Sequence, residues 1–300
     1  MSGEWVDGRL YPATSSVWCC SLSTVTRPYL KMNGLGNDFI VVEARSQPFR
    51  PTAEQVRALC DRAEGVGCDQ LIAVEPTADG GDVFMRIWNA DGGEVDACGN
   101  ATRCVGWLIS EATGRRETTI DTAAGPLHAR RIGEWRVSVD MGAPRLDWTE
   151  IPLAEEMDTR GIELQVGPID APILHTPGTV SMGNPHVVFF VPDVEDAPVQ
   201  GCGSLIEHHP LFPAGVNVGF CEVVERDRLR LRVWERGAGE TKACGTGACA
   251  ALVAAVRRGL ADRRATVELP GGELEIEWRE GDDHVIMTGP VALEFTGALP

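Results

Sequence analysis

Two cysteines stand at equivalent places in a segment that the chain contains twice. Residues 86–99 read RIWNADGGEVDACG and residues 232–245 read RVWERGAGETKACG, so the two copies are 146 residues apart. Seven of the fourteen positions are identical without a gap, and they include Cys98/Cys244 and one tryptophan. Chance pairing of two such uncommon residues in one ungapped block is improbable. The chain is therefore predicted to be two copies of one module, each carrying a thiol at the same place.

The position of these thiols suggests chemistry. Each cysteine is followed by glycine and then by a stretch rich in alanine, leucine and valine, with the spacing of a helix that buries one face. Cys98 and Cys244 are therefore expected at, or just before, a helix N-terminus. Free backbone N–H groups and the positive helix end there stabilise a thiolate and bind a carboxylate. The pKa of each thiol is expected to fall from about 8.5 towards neutrality.

If the two modules face each other, the two thiols flank one anion site from opposite sides. One thiol can then remove a proton from a carbon while the other delivers a proton to the opposite face. Inversion of a stereocentre at Cα needs this pair of an acid and a base.

The duplication extends to polar residues outside the cysteine segment. At an offset of 147, Asn37 falls opposite Asn184 and Gln70 falls opposite Asn217. Asparagine is common in turns, and Asn89 has the same simple explanation. Matching places in two modules nevertheless favour a role in ligand binding.

The elements that must position these residues are mainly strands. Strands joined by turns rich in glycine and proline, with one long helix per module, indicate an α+β fold rather than a doubly wound parallel sheet. The glycine-rich loops lack the spacing of phosphate-binding loops. A helix is predicted over residues 52–63, with Thr52 as its N-cap. The predicted strands cover residues 39–43, 70–75, 83–88, 118–124 (before a turn at Gly125-Pro126), 136–140, 187–191, 218–224, 229–234, 265–269 and 273–278.

Composition excludes several classes of protein. Three hundred residues with 43% hydrophobic content can form about two domains. A net charge of −17 argues against nucleic-acid binding, and the chain has no run of 18 apolar residues that would cross a membrane. Ten irregularly spaced cysteines with no CxxC or HExxH pattern argue against disulfides and a metal site. A reducing, cytoplasmic setting suits free thiols best.

Five stretches together resemble the diaminopimelate epimerase family, from about Tyr29 to the C-terminus. They are GLGNDF (34–39), NADGGEVDACGN (89–100), SMGNPHVV (181–188), NVGF (217–220) and ERGAGETKACGTGACAA (235–251). The resemblance implies an isomerase that uses two cysteines, no metal and no organic cofactor. It implies an α+β fold of two pseudo-symmetric domains, each a curved, mostly antiparallel sheet around a central helix. The implied partner is the small-molecule substrate diaminopimelate, and a homodimer is left open.

The resemblance also assigns roles to residues. Cys98 and Cys244 exchange the α-proton, and His186 and Glu235 tune the thiol pair. The backbone amides expected to hold the reacting α-carboxylate are those of Gly99, Asn100, Gly245 and Thr246. The side chains expected to hold the distal amino and carboxyl groups are those of Asn89, Asn184, Asn217, Glu235 and Arg236, with Asn37 and Gln70 completing the wall.

The domain boundaries follow from the same reasoning. Residues 30–140, with a C-terminal strand at 290–300, are expected to form the first domain, and residues 141–289 the second. Residues 1–28 match nothing in the second half and lack the pattern of a signal or transit peptide. They are predicted to be a loosely packed tail without a catalytic role.

Two other functions stay open. A cofactor-independent racemase of another amino acid, such as proline or histidine, would share the thiols but not the distal clamp at Arg236. A non-catalytic amino-acid-binding protein of the same fold would leave the Cα proton in place. A test of proton exchange separates these functions.

Overall fold

The computed structural model describes residues 3–6, 9–12 and 27–299. Of these, the residues up to Val139 and from Pro290 onward form one compact unit, here unit 1, and Asp140–Gly289 form a second, here unit 2. Each unit has its own strands and its own long buried helix, and the two units are described separately below.

Unit 1 contains two helices and most of the strands of the first half. The helices are α1 (Ala53–Cys60) and α2 (Gly99–Thr113). The strands are β1 (Gly3–Val6), β2 (Arg9–Pro12), β3 (Arg27–Gly34), β4 (Asn37–Glu43), β5 (Gln70–Glu75), β6 (Val83–Asn89), β7 (Glu94–Val95), β8 (Glu117–Thr122), β9 (Gly125–Gly133) and β10 (Arg136–Asp140).

Unit 2 repeats this order of elements. Its helices are α3 (Val199–Glu207) and α4 (Gly245–Arg257). Its strands are β11 (Gln165–Val166), β12 (Leu174–His175), β13 (Gly178–Ser181), β14 (Pro185–Phe190), β15 (Asn217–Glu225), β16 (Arg228–Glu235), β17 (Gly239–Thr241), β18 (Arg264–Leu269), β19 (Gly272–Trp278) and β20 (Val285–Pro290). The last strand, β21 (Ala292–Leu299), pairs with β3 and so belongs to unit 1.

The strands of the two units pair in the same pattern. In unit 1, β3–β4, β5–β6, β6–β7 and β8–β9 are antiparallel, whereas β4–β5 and β6–β8 are parallel. In unit 2, β13–β14, β15–β16, β16–β17 and β18–β19 are antiparallel, whereas β14–β15 and β16–β18 are parallel. The register is also equivalent, since Phe39 lies opposite Gln70 and His186 opposite Asn217. The predicted α+β fold of two similar, mostly antiparallel modules is confirmed.

One long helix is buried in each unit. Helix α2 contacts β3, β8 and β9, and its residues from Gly99 to Ser110 are buried. Helix α4 contacts β13 to β16, β18 and β19. Alanine and glycine let these helices approach the strands closely. A Cβ added at Gly106 would lie 2.5 Å from the Cβ of Ala129 on β9, so that contact needs glycine.

Several predicted bounds are reproduced and others are corrected. Strands β5 and β10 cover the predicted residues, and Thr52 caps α1 with a reciprocal hydrogen bond to Gln55. Helix α1 ends at Cys60, three residues earlier than predicted. The predicted turn at Gly125-Pro126 is wrong, because these residues open β9 and pair with β8. Helix α3 was not predicted.

The start of the chain is described only in part. Strands β1 and β2 form an antiparallel hairpin, and Arg27 already belongs to β3. The predicted loose packing of residues 1–28 falls mostly outside the described residues and stays a prediction. No helix in the described part of the chain is long and apolar enough to cross a membrane.

Candidate functional site

Cys98 lies where the sequence predicts it, immediately before a helix. It is the N-cap of α2, in an extended conformation with φ −148° and ψ 114°. The thiol is half-buried, and its Sγ lies 3.9 Å from Oδ1 of Asn37. The Nδ2 of Asn100, in the first turn of α2, donates to the same oxygen at 3.3 Å. The structure thus brings together three of the predicted site residues around the start of α2.

Asn37 is held by a tight turn and by a carboxylate. The turn contains two residues with left-handed φ, Leu35 at 66° and Gly36 at 84°. A leucine in this region is strained by about 1–3 kcal/mol and is found mainly where function demands it. The Nδ2 of Asn37 donates to Oδ2 of Asp69 at 2.9 Å, which leaves Oδ1 facing Cys98. Asp69 therefore orients the amide beside the thiol.

Gln70 and Asn89 lie side by side on adjacent strands of unit 1. They are Cα partners across β5 and β6, and Nε2 of Gln70 donates to Oδ1 of Asn89 at 2.9 Å. Among the described residues, Oε1 of Gln70 is a buried oxygen without a hydrogen-bond partner. Buried acceptors are normally satisfied, so this oxygen can accept a hydrogen bond from a ligand N–H group.

Arg103 is a residue near the thiol that the sequence did not reveal. It is fully buried in α2, and its Nη1 donates to Oδ1 of Asn100 at 3.0 Å. An arginine on a helix normally indicates a solvated face, and in the duplicated module Cys249 stands at this place. Neither the residue type nor the comparison of the two modules could therefore have identified Arg103 from the sequence. Because the guanidinium binds Oδ1 of Asn100, it directs Nδ2 of that residue towards Asn37.

Cys244 begins the second buried helix in the same way. It is the N-cap of α4, with φ −108° and ψ 103°. Its Sγ lies 3.7 Å from Oγ1 of Thr246, and Nδ2 of Asn184 donates to that hydroxyl at 3.3 Å. An asparagine, a polar residue of the first helical turn and a thiol are therefore in contact in both units.

The protonation of Cys244 differs from the prediction. Burial raises the pKa of this thiol well above its ordinary value, and the negative charge of Glu235 raises it further. Hydrogen bonds from Gly247 N–H and Thr246 lower the pKa but do not outweigh burial. The predicted lowering is thus wrong for Cys244, because transfer of a thiolate from water to a buried site costs more than the helix end returns. Cys244 is a thiol at neutral pH.

His186 is buried beside the same asparagine. Its Nε2 lies 3.1 Å from Oδ1 of Asn184, so the neutral ring carries its proton on Nε2. Burial, and then the positive charge of Arg236, lower the pKa of His186 to about 3. The ring is therefore uncharged at neutral pH. It is connected to Cys244 through Asn184 and Thr246, and as a neutral ring it brings no charge to the thiol.

Glu235 is the last residue of β16, and Arg236 begins the turn that leads to β17. Glu235 accepts a hydrogen bond from the hydroxyl of Thr241. The backbone N–H of Arg236 donates to Oδ1 of Asn217 at 3.0 Å, and its Nη1 donates to the carbonyl oxygen of Ala214 at 2.8 Å. The predicted ligands Asn217 and Arg236 are therefore adjacent, and Asn217 supports the backbone of the turn.

One acidic cluster in the described part of the chain has the spacing of metal ligands. It consists of Asp140, Asp282 and His284. Nη2 of Arg279 donates to Asp140 at 2.8 Å and to Asp282 at 2.6 Å. The guanidinium pairs with both carboxylates, so this cluster is an ion-pair network of unit 2.

Comparison with known proteins identifies the family. The model of the family described as diaminopimelate epimerase matches residues 29–146 and 178–294. A diaminopimelate epimerase from Caulobacter sp. (strain K31) is 61% identical in an alignment of 284 residues that covers 92% of this chain and 98% of the relative. One from Phenylobacterium zucineum (strain HLK1) is 66% identical over 274 residues, 91% of this chain and 98% of the relative. The resemblance drawn from the motifs is confirmed.

Solved structures share the fold at low identity. A phenazine biosynthesis protein of the PhzF family from Bacillus anthracis has a TM-score of 0.65 and 15% identity, with 92% of this chain and 100% of that chain covered. A probable proline racemase from Agrobacterium radiobacter K84 has a TM-score of 0.63 and 20% identity, with 92% and 93% covered. These likenesses show the fold alone.

Proposed function

The chain belongs to the diaminopimelate epimerase family, and we propose that it interconverts LL- and meso-2,6-diaminopimelate by exchanging the proton at one Cα between two cysteines. The observation that carries the proposal is the duplicated thiol. Cys98 and Cys244 each form the N-cap of the buried helix of their unit. A racemase without an electron-sink cofactor needs one base and one acid, and the duplication supplies one such group per module.

The protonation of Cys244 gives the two thiols different tasks in the resting protein. Because Cys244 is a thiol at neutral pH, it is the proton donor. Cys98 acts as the thiolate base that takes the α-proton of the bound substrate. The S–H bond of Cys244 breaks as its proton joins the other face of the carbon, and an S–H bond forms at Cys98. The reverse reaction exchanges the roles.

The helix ends hold the reacting carboxylate in this proposal. The backbone N–H groups of Gly99, Asn100, Gly245 and Thr246 belong to the first turns of α2 and α4. Such groups bind anions and stabilise negative charge as the Cα proton leaves. Asn37 and Asn184 contact the first-turn side chains and keep them oriented.

The distal end of the substrate is bound by the asymmetric parts of the modules. Arg236 provides a charge for the second carboxylate, with which a guanidinium forms paired hydrogen bonds. The buried Oε1 of Gln70 accepts a hydrogen bond from a ligand ammonium group. Asn89, Asn217 and Glu235 complete this end. Such a clamp explains how one of the two stereocentres of diaminopimelate is selected.

The proposal includes a biological setting. Interconversion of these isomers serves the synthesis of lysine and of peptidoglycan precursors, and a reducing cytoplasm would keep both thiols free. The partner is the small-molecule substrate. A homodimer is the assembly to test, by light scattering of the full chain.

Proton exchange in deuterated buffer tests the function. The purified protein is incubated with LL-diaminopimelate in D₂O, and mass spectrometry with chiral separation follows deuterium at Cα and the appearance of the meso isomer. We expect both. A binding protein would leave the Cα proton in place. Efficient exchange of proline or histidine with diaminopimelate inert would instead indicate a racemase of another amino acid.

A further inference from the structure

We propose that Glu207, the last residue of α3, is a positioning residue that holds the turn bearing Arg236 in its substrate-binding conformation. This inference rests on the proposed function, because it assigns a support to the distal clamp. Glu207 lies outside the motifs that carry the family resemblance.

The carboxylate of Glu207 is buried and binds both sides of the turn. Only 6% of the residue is exposed. Its Oε2 accepts a hydrogen bond from Nε1 of Trp234 at 2.8 Å, and its Oε1 accepts one from the backbone N–H of Gly237 at 2.9 Å. These two donors are the residues that flank Glu235 and Arg236 in the chain. One carboxylate therefore fixes the position of the turn at both of its ends.

The close packing of α3 against the turn makes this contact possible. A Cβ added at Gly203, one helical turn before Glu207, would lie 2.4 Å from the indole ring of Trp234. The helix thus lies directly on the ring, and the carboxylate reaches the indole N–H at its edge. Gly237 has φ +75°, a conformation that reverses the chain directly after Arg236.

The segment after α3 also fixes the side chain of Arg236. The carbonyl oxygen of Ala214 accepts the hydrogen bond from Nη1 of Arg236. A Cβ added at Gly215 would lie 2.9 Å from Cδ of the same side chain. Helix α3 and the loop that follows it therefore hold both the backbone and the guanidinium of this arginine.

The other module lacks the carboxylate. At an offset of 147, Cys60 stands opposite Glu207, and each is the last residue of its helix. The turn that matches Glu235-Arg236 is Asn89-Ala90 in unit 1. Helix α1 supplies a hydrogen-bond donor to that turn instead of an acceptor, since Nη1 of Arg57 donates to the carbonyl oxygen of Asp91 at 3.0 Å. The carboxylate thus occurs in the module that carries the Glu-Arg pair and not in the shared framework.

The test replaces Glu207 with glutamine. Glu207→Gln keeps the size of the side chain, but its single oxygen can accept only one of the two hydrogen bonds, and its amide faces the other donor. We expect the KM for diaminopimelate to rise about tenfold, with a smaller fall in kcat. Glu222→Gln is the matched control, because Glu222 also accepts a backbone N–H, from Val194, and a hydrogen bond from Arg230. It should leave KM unchanged.

A double-mutant cycle separates positioning from general stability. If Glu207 acts through Arg236, Glu207→Gln should have little further effect on KM once Arg236→Ala is present. Equal effects in the two backgrounds would overturn the inference. If Glu207→Gln does not fold, as judged by circular dichroism, Trp234→Phe removes one of the two donors and should raise KM less strongly.

The outcomes distinguish this inference from the proposed function. Absence of Cα exchange in the wild-type protein would reject the function, and this inference with it. Normal exchange by the wild type together with a wild-type KM in Glu207→Gln, or in Trp234→Phe if that variant stands in, would reject the positioning role alone.

Discussion

The two units place the same thiol in different surroundings. Cys98 is half-buried and lies beside the amide oxygen of Asn37, whereas Cys244 is 3% exposed and lies near the carboxylate of Glu235. Both are N-caps with an extended backbone. Burial and the negative charge of Glu235 raise the pKa of Cys244 well above its ordinary value. The duplication has therefore kept the position of the thiol while changing the environment that sets its protonation.

The turns beyond the thiols differ more than the thiols themselves. In unit 1, Asn89 is bound by Gln70, and no charged side chain stands at Ala90. In unit 2, the equivalent turn carries Glu235 and Arg236. An asymmetric clamp suits a substrate whose two ends must be distinguished. Under the proposed function, the shared half of each module, which is the cysteine N-cap with its helix, does the proton chemistry. The diverged half, which is residues 89–90 in unit 1 and 235–236 in unit 2, selects the substrate.

Removal of either thiol is the strongest test of the shared half. Cys98→Ala and Cys244→Ala should each reduce the rate of epimerisation by about 10²–10⁴ or more, because each removes an acid or base from the reacting carbon. Stopped assays of LL to meso conversion measure the loss. Cys104→Ala and Cys249→Ala are the matched controls, since both are buried in the same helices, away from the N-caps.

The view that each module contributes one required thiol would be wrong if either thiol were dispensable. Near-wild-type conversion by either variant, with the control variants also active, would contradict a mechanism that uses one thiol per module.

Arg236 tests the diverged half. Arg236→Ala should raise KM for diaminopimelate by about 10- to 150-fold, which corresponds to a lost charge-assisted hydrogen bond of about 1.5–3 kcal/mol. It should also lower kcat, because remote binding energy supports the reacting geometry. Initial-rate kinetics at varied substrate concentrations measure both. Arg226→Ala, at an exposed ion pair with Asp262, is the control.

Loss of activity in the cysteine variants together with an unchanged KM in Arg236→Ala would contradict this division of tasks. If Arg236→Ala left KM unchanged, the distal carboxylate would have to be bound elsewhere.

The sequence predicted the shared half better than the diverged half. Both cysteines, their helices and the strand bounds of β5 followed from local patterns that occur twice. Arg103 could not be found in this way, because its burial depends on the packing of α2 against neighbouring strands. The duplicated module offers no arginine for comparison.

The wrong pKa prediction for Cys244 and the failure to predict helix α3 have the same cause, which is tertiary packing. The N-cap position of the cysteine was visible in the chain, but its pKa depends on burial and on Glu235, which come from tertiary packing. Helix α3 contains two glycines and has no side-chain cap, so local propensity is weak. Contacts with β15, β16 and β17 stabilise it instead.

Acid should destabilise unit 2 because His186 is buried there. Unit 1 has Phe39, which does not titrate, at the equivalent strand position. Burial lowers the pKa of His186 to about 3. The unfolded chain binds a proton near pH 6.5, so this contribution to stability is complete above pH 6.5 and is lost progressively as the pH falls towards 3. At pH 5 the loss is about 2 kcal/mol at most. Urea unfolding at pH 7 and pH 5 measures it.

His186→Gln supplies the comparison for this prediction. The variant should lose less unfolding free energy between pH 7 and pH 5 than the wild type. An equal loss would show that other groups cause the acid sensitivity.

Glu235→Gln should shift the pH dependence of kcat/KM, and it should change the maximum of kcat/KM less than the variants above. Burial is the larger cause of the raised pKa of Cys244, and the charge of Glu235 adds to it. Removing that charge lowers the pKa of the thiol, while the glutamine oxygen can still accept the hydrogen bond from Thr241. Since Cys244 must be protonated to donate, activity is lost as the pH rises through its pKa. The falling limb of kcat/KM should therefore move to lower pH in the variant.

Glu240→Gln removes a charge from the same hairpin, where Glu240 pairs with Arg232, and should leave the limb in place. A limb that stayed fixed in Glu235→Gln, or moved to higher pH, would show that Glu235 does not set the protonation of Cys244 and that burial alone distinguishes the two thiols.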